Sequence, residues 1–252
     1  PAVVARWRAR LAAIAAEAET GGARGADRTS DPAATALDEA TSLALLADFD
    51  IPVVPHALAG SREEALAAAA RLGFPLVLKT AAAGIAHKSD VGGVVLGLAD
   101  ADALAAAYDA MAARLGPRVL VARMVTGPRV EMLVGLTRDP DFGPLVLVGA
   151  GGVHAEILRD VVVAKPPFDA AYARRLVDRL RLRPLLDGVR GAPPADVDAL
   201  ATALARFSQM VVSVADVVGD MDVNPLLSGA DGVLAVDALL VIRPLSPPRT
   251  GD

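Results

Sequence analysis

Three segments of this 252-residue sequence gather side chains able to do chemistry. The first is His87-Lys88-Ser89-Asp90-Val91-Gly92-Gly93-Val94, the densest polar cluster in a chain rich in Ala, Val and Leu. Lys79 precedes it by eight residues, in the apolar run PLVLKTA. An ammonium ending an apolar strand beside a glycine-containing loop suits a phosphate. The plain alternatives are a solvated strand-end charge for Lys79 and a surface histidine for His87. The second segment, Gly149-Ala150-Gly151-Gly152, follows an apolar run and precedes a helical pattern. Its backbone N–H groups suit an anion, and an ordinary strand-to-helix turn explains it equally well. A dinucleotide-binding GxGxxG is not the reading, because its third glycine falls on His154. The third segment is Asp220-Met221-Asp222-Val223-Asn224-Pro225, taken with Asp237. Asp222 and Asn224, two residues apart, share one face of a strand, and Asp237 on a returning strand comes alongside. Three oxygen donors of this kind suit Mg²⁺, which keeps several waters and takes few protein ligands. A carboxylate inside the apolar run 233–242 needs a partner.

Composition narrows the field. Of 25 basic residues only Lys79, Lys88 and Lys165 are lysines, and Asn224 is the only asparagine. The absence of cysteine excludes disulfides, thiolate metal sites and cysteine nucleophiles. GxxxxGK[ST], GxSxG and HExxH are missing as well. A net charge of -5 with 3% aromatics argues against nucleic-acid binding. No unbroken apolar run reaches the ~18 residues of a membrane span, and no export signal is read at the start. A cytoplasmic protein bound to neither nucleic acid nor membrane is expected.

The elements that must position these residues alternate between helix and strand. Residues 3–19 read as a helix, with Val3, Val4, Trp7, Leu11 and Ile14 on one face. Residues 21–35 lack periodicity and read as a linker, which sets that helix (1–20) apart. From residue 36 to 246 the pattern predicts a mixed α/β, or α+β, domain in two lobes. The smaller covers about 53–124, the larger about 125–246 plus 36–52, and 247–252 form a tail.

LLADFDIPVVP, PLVLKTAAAGIAHKSDVGGV, RDPDFGPLVLVGAGGVHAEILRD, DMDVNPLL and VLAVDA together resemble the ATP-grasp domain of ADP-forming acyl-CoA synthetases. This is the family of ADP-forming acetate–CoA ligase, distantly related to the succinyl-CoA synthetase β subunit. The resemblance runs over about 38–245 and implies an ATP-grasp fold whose two lobes grip ATP or ADP with Mg²⁺. It implies that Lys79 binds phosphates under a loop containing Gly84, Lys88, Ser89, Gly92 and Gly93. Main-chain groups of Ala122, Arg123, Met124 and Val125 would read the adenine, and Glu131 would also contact the nucleotide. Asp222, Asn224 and Asp237 would hold Mg²⁺. His87 matches a second phosphoryl carrier, in a loop hinged at Gly84 and Gly92-Gly93, and Glu156 and Asp160 match acidic residues after the glycine-rich turn, Glu156 with a catalytic role.

The implied activity is an acid–thiol ligase working as an oligomer with a CoA-binding α subunit or domain, which handles acyl phosphate and CoA. Residues 1–20 would then be a remnant of that preceding portion. Three positions depart from the family pattern: Asp220 stands for Glu, Ala164 (before Lys165) for Arg, and Leu239 for Arg. These departures suit one alternative, an inactive regulatory ATP-grasp module of the kind fused to protein acetyltransferases. A carboxylate–amine ligase is a further alternative, against which HKSDVGGV stands.

Overall fold

The computed structural model describes residues 2–21, 35–82, 85, 88–152 and 160–243. Within them the chain runs α1 (Ala2–Gly21), β1 (Thr35–Ala36), α2 (Glu39–Asp48), β2 (His56–Ala59), α3 (Arg62–Leu72), β3 (Leu76–Thr80) and β4 (Val94–Leu98). It continues with α4 (Ala101–Leu115), β5 (Val119–Arg123), β6 (Val130–Asp139), β7 (Gly143–Ala150), β8 (Val161–Ala164) and α5 (Ala170–Val177). Last come α6 (Arg183–Leu186), α7 (Val197–Val214), β9 (Val218–Gly229), β10 (Gly232–Ala235) and β11 (Ala238–Ile242). Of the linker expected over 21–35, residues 22–34 lie outside the described set, as does the tail at 247–252.

Helix starts follow side-chain caps. Asp38, Asp100, Asp169 and Asp196 each accept a hydrogen bond from the backbone N–H three residues on, at 2.7 to 2.8 Å. Such a cap is worth about 1 kcal/mol. Ser61 caps α3 through the Glu64 N–H, while the Glu64 carboxylate turns back to the Gly60 N–H at 2.7 Å.

The chain divides into two compact units, Val54–Gly127 and the remainder. In Val54–Gly127 four antiparallel strands lie in the order β2-β5-β3-β4. One sheet face packs on α3 and α4 through Ala59, Leu76, Leu78, Val119 and Val121 against Ala65, Ala68, Leu104 and Met111. The small alanines of α3 let that helix lie close to the sheet.

In the other unit the strand order is β1-β11-β9-β6-β7-β8, antiparallel throughout, with β10 paired to the far end of β9. The core lies between this sheet and its helices, where Leu200, Leu204, Phe207 and Val211 of α7 meet Met132, Val134, Val146 and Val148. Helix α7 is long and apolar enough to cross a membrane, yet those side chains lie in the core. Although α1 is set apart in sequence, Trp7, Leu11 and Ala15 belong to the same core. The Trp7 indole N–H donates to Asp48 Oδ2 at 2.6 Å, which ties α1 to α2.

Candidate functional site

Strand β3 is buried along its whole length. Leu76 and Leu78 point into the helix-covered core, so the two-residue period turns Val77 and Lys79 to the opposite face. There Val77 stands opposite Ala122, and Lys79 between Leu120 on β5 and Val94 on β4. Lys79 is only 8% exposed, so it is no solvated strand-end charge. Withdrawing an ammonium from water is costly without compensating negative charge or dipoles.

The next residue begins the anchorage of the loop. Thr80 N–H donates to the Gly93 carbonyl at 2.7 Å, and Gly93 N–H closes a turn on Lys88 at 2.7 Å. Inside it, Gly92 N–H bonds the Ser89 carbonyl at 3.1 Å. Arg114 Nη2, from the last turn of α4, donates to the carbonyls of Val91 and Gly92 at 3.3 and 2.9 Å. A Cβ added at Gly93 would lie 2.6 Å from the Thr80 methyl and 2.9 Å from the Lys88 carbonyl oxygen. These glycines permit close contact at a pinned turn. Lys88 is half-buried in it and Ser89 exposed. Gly84 and His87 lie outside the described residues.

At the end of β5, the Arg123 N–H donates to the Pro55 carbonyl and the Met124 N–H to the Pro75 carbonyl, both at 2.9 Å. Two of the main-chain donors expected to read a base are thus engaged inside the unit. Ala122 is itself paired within the sheet, opposite His56 on β2 and Val77 on β3.

In the second unit, β9 alternates. Met221 and Val223 are buried, while Asp220, Asp222 and Asn224 lie on the other face, Asp222 half-buried and the other two exposed. Pro225 has no N–H to give, and the ladder breaks around it. The β6–β9 register shifts between Met132 and Val134. On the other edge β10 ends with Ala235 opposite Leu226, and β11 begins with Ala238 opposite Val223. Val236 and Asp237 fill that break, with Val236 N–H on the Pro225 carbonyl at 3.2 Å. Asp237 therefore stands half-buried between two strands, level with 224–225, and not inside one continuous strand as expected. Leu239, cross-paired with Asp222, puts an apolar side chain beside that carboxylate.

The glycine-rich turn joins this group. Gly151 N–H donates to the Glu131 carbonyl at 2.8 Å and Gly152 N–H to Asn224 Oδ1 at 3.3 Å. Both donors are engaged, which corrects their expected availability to an anion. Gly152 has a φ of 58°, and a Cβ there would collide with the exposed Glu131 carboxylate. Glu131, Gly152 and Asn224 are thus brought together, from β6, the turn after β7, and β9. A cavity of about 310 Å³ opens beside Glu131, lined by Arg129, Leu185, Val189 and the buried Ser228.

Glu156 lies outside the described residues. Asp160 is 8% exposed and accepts from the N–H groups of Arg181 and Leu182 at 2.9 and 2.8 Å, a structural anchor that no sequence spacing announced. Ala164 is buried in the core and Lys165 points out, so Lys165 does not occupy the vacated position. Among the described residues no group of three or more His, Asp or Glu is placed to hold a metal. The donor set on β9 and its neighbour is two carboxylates and one amide oxygen. Its chemistry fits a hard cation that takes most of its oxygens from water and phosphate.

The family model for the ATP-grasp domain matches residues 29–242. The β subunit of ADP-forming acetate–CoA ligase II from Pyrococcus furiosus is 32% identical over 219 residues, 83% of this chain and 92% of that subunit. ADP-forming acetate–CoA ligase I from Archaeoglobus fulgidus is 36% identical over 210 residues, 81% of this chain and 30% of that protein. The chain thus spans about a third of its longer relatives and nearly all of a separate β subunit. Among solved structures, acetyl-coenzyme A synthetase 1 of Ca. Korarchaeum cryptofilum superposes with a TM-score of 0.77 at 31% identity, covering 92% of this chain and 100% of that one. It holds coenzyme A and Mg-AMPPCP, with a phosphohistidine segment pointing towards the nucleotide-binding site.

Proposed function

Because the chain belongs to the ATP-grasp family that includes the β subunits of ADP-forming acetate–CoA ligases, we propose that it is the nucleotide-handling part of an ADP-forming acyl-CoA synthetase. It binds ATP or ADP with Mg²⁺ in the cytoplasm and moves a phosphoryl group between the nucleotide and an acyl phosphate. A CoA-binding subunit or domain, assembled with it in an oligomer, handles the acid, the acyl phosphate and CoA.

Each residue set has a role in this reading. Lys79 and Lys88 are the cations for the nucleotide phosphates, with Ser89, Gly92 and Gly93 shaping the turn beside them and Gly84 in the same phosphate-covering sequence. Main-chain groups of the segment Ala122, Arg123, Met124 and Val125, together with Glu131, take the rest of the nucleotide. Asp222, Asn224 and Asp237 hold Mg²⁺, whose charge offsets that of the phosphate oxygens. His87 carries the phosphoryl group. Towards ATP, the N–P bond of phosphohistidine 87 breaks as an oxygen of the ADP β-phosphate bonds to phosphorus. The imidazole is released, and the reverse step reloads it from ATP. Catalysis of this exchange is positioning and charge neutralisation. Glu156 supplies a carboxylate near the transfer.

The observation that most supports the reading is Lys79, buried in mid-sheet on the face away from its own helices. Calorimetry of the chain with Mg·ADP tests it: measurable binding is expected, and none would end the proposal. Lys79→Ala should weaken ADP roughly tenfold or more, the loss of one charge-assisted contact. With the CoA-binding partner and an acyl phosphate supplied, wild type should make ATP, and His87→Ala should bind ADP but make none. A second reading, an inactive regulatory module, draws on Ala164 and Leu239. It requires ADP binding without ATP formation in the same assay.

A further inference from the structure

We infer that Arg114 is a positioning residue for the nucleotide phosphates, an inference that rests on the nucleotide-binding reading above. An arginine in the last turn of a helix ordinarily complements the helix dipole. Arg114, at the end of α4, instead sends one guanidinium nitrogen to two successive carbonyls of another segment, Val91 at 3.3 Å and Gly92 at 2.9 Å. The turn they belong to is the one bearing Lys88 and Ser89.

The rest of that turn is fixed at its base. Gly93 N–H holds the Lys88 carbonyl, Gly92 N–H holds Ser89, and Thr80, next to Lys79, holds the Gly93 carbonyl. Val91 and Gly92 form its exposed outer edge, and the Arg114 side chain reaches across to it. The guanidinium lies against the bare face of Gly92, where a Cβ would stand 3.2 Å from Nη2 and 3.5 Å from Nη1. Gly92 also has a φ of 63°, which disfavours any side chain there. Arg114 is exposed, and a long side chain held in one geometry at the surface loses rotamer freedom. Its two hydrogen bonds fix the outer edge of the turn, and through it the placing of Lys88 and Ser89 relative to Lys79. The long arginine side chain carries this donor nitrogen from the end of α4 to both carbonyls.

The test compares wild type, Arg114→Ala and Arg114→Lys by calorimetry of the full chain, with Mg·ADP and with adenosine. Arg114→Ala is expected to weaken Mg·ADP roughly tenfold. Adenosine affinity and the thermal midpoint should stay near the wild-type values, and Arg114→Lys should recover part of the loss. Unchanged ADP affinity in Arg114→Ala would overturn the inference while leaving the nucleotide reading intact. Equal loss of ADP and adenosine with a lowered midpoint would also overturn it, because that is the signature of a purely structural contact. Wild type binding neither ligand would remove both the inference and the reading on which it rests.

Discussion

The glycine-rich turns at 92–93 and 149–152 are packed against different kinds of atoms. At Gly92 and Gly93 the space a Cβ would need is filled by the end of Arg114, the Thr80 methyl and a single carbonyl, that of Lys88. At Gly149 and Gly151 it is filled mainly by main chain, with the Val161 side chain also 2.8 Å from the Cβ position of Gly149. The Asp160 carbonyl lies 2.5 Å from the Cβ position of Gly149, and Met132 backbone atoms lie 2.7 and 2.8 Å from that of Gly151. Side-chain ends can step aside, whereas backbone locked in paired strands can move only with its sheet. The first turn is a surface feature tuned by a few contacts. The second is part of the β6–β7–β8 sheet itself, and its last glycine touches the Glu131 side chain.

The largest effect is therefore expected from Gly151→Ala, which forces β6 and the turn apart. Overpacking of this kind costs about 2–3 kcal/mol, readable as a lowered denaturation midpoint. A wild-type midpoint would show that the turn yields as easily as the first one. Gly152→Ala should divide its effect. The backbone term at positive φ is about 1–2 kcal/mol. The displaced Glu131 and the broken bond to Asn224 should also weaken Mg·ADP, measured on the same protein. Loss of stability with unchanged ADP affinity would separate Glu131 from the nucleotide.

Asn224→Ala comes next. It should weaken Mg·ADP more than metal-free ADP, with little change in melting, since the side chain is exposed and its bond from the Gly152 N–H is long at 3.3 Å. Equal weakening with and without Mg²⁺ would take Asn224 out of the metal set. Gly93→Ala should act mainly on phosphate binding, with a smaller fall in stability than Gly151→Ala, because a methyl and one carbonyl can adjust. The reverse ranking would erase the contrast between the two turns.

The smallest effect belongs to a surface pair near the second turn. A hydrogen bond from Arg129 holds the Asp231 carboxyl below the usual carboxylate range. A depressed folded-state pKa gives stability that is present above the unfolded pKa and lost as pH falls through the folded one. Asp231→Asn should thus flatten slightly the loss of stability in acid, and leave the neutral-pH midpoint within the scatter of a surface substitution. A large neutral-pH loss would mean that Arg129 depends on this partner to line the cavity beside Glu131.

Much of this was legible from residue types in order. An aspartate stands directly before α2, α4, α5 and α7, where a cap needs only local geometry. The two-residue period of β3 and β9 separated Lys79 from Leu78, and Asp222 and Asn224 from Val223, before any contact was seen. The motifs around HKSDVGGV and DVNP pointed to the ATP-grasp family. Other features had no local signature. Arg114 reads as a helix-end charge, and its reach to Val91 and Gly92 depends on α4 folding back beside β4. Asp160 in sequence only matches an acidic residue after the glycine-rich turn, and it becomes an anchor for the N–H groups of Arg181 and Leu182 through the tertiary fold.

Sequence by itself determined which groups are available and on which face of each strand they stand, since alternation and capping act over a few residues. The tertiary structure decided what each group is free to do. It engaged the N–H groups of Arg123, Met124, Gly151 and Gly152. It placed Asp237 in a gap between strands beside a proline that cannot pair. It also made both glycine-rich turns points of close packing. Those outcomes depend on segments distant in the chain arriving at the same place, and the free energy of such contacts is not written in any single stretch of residues.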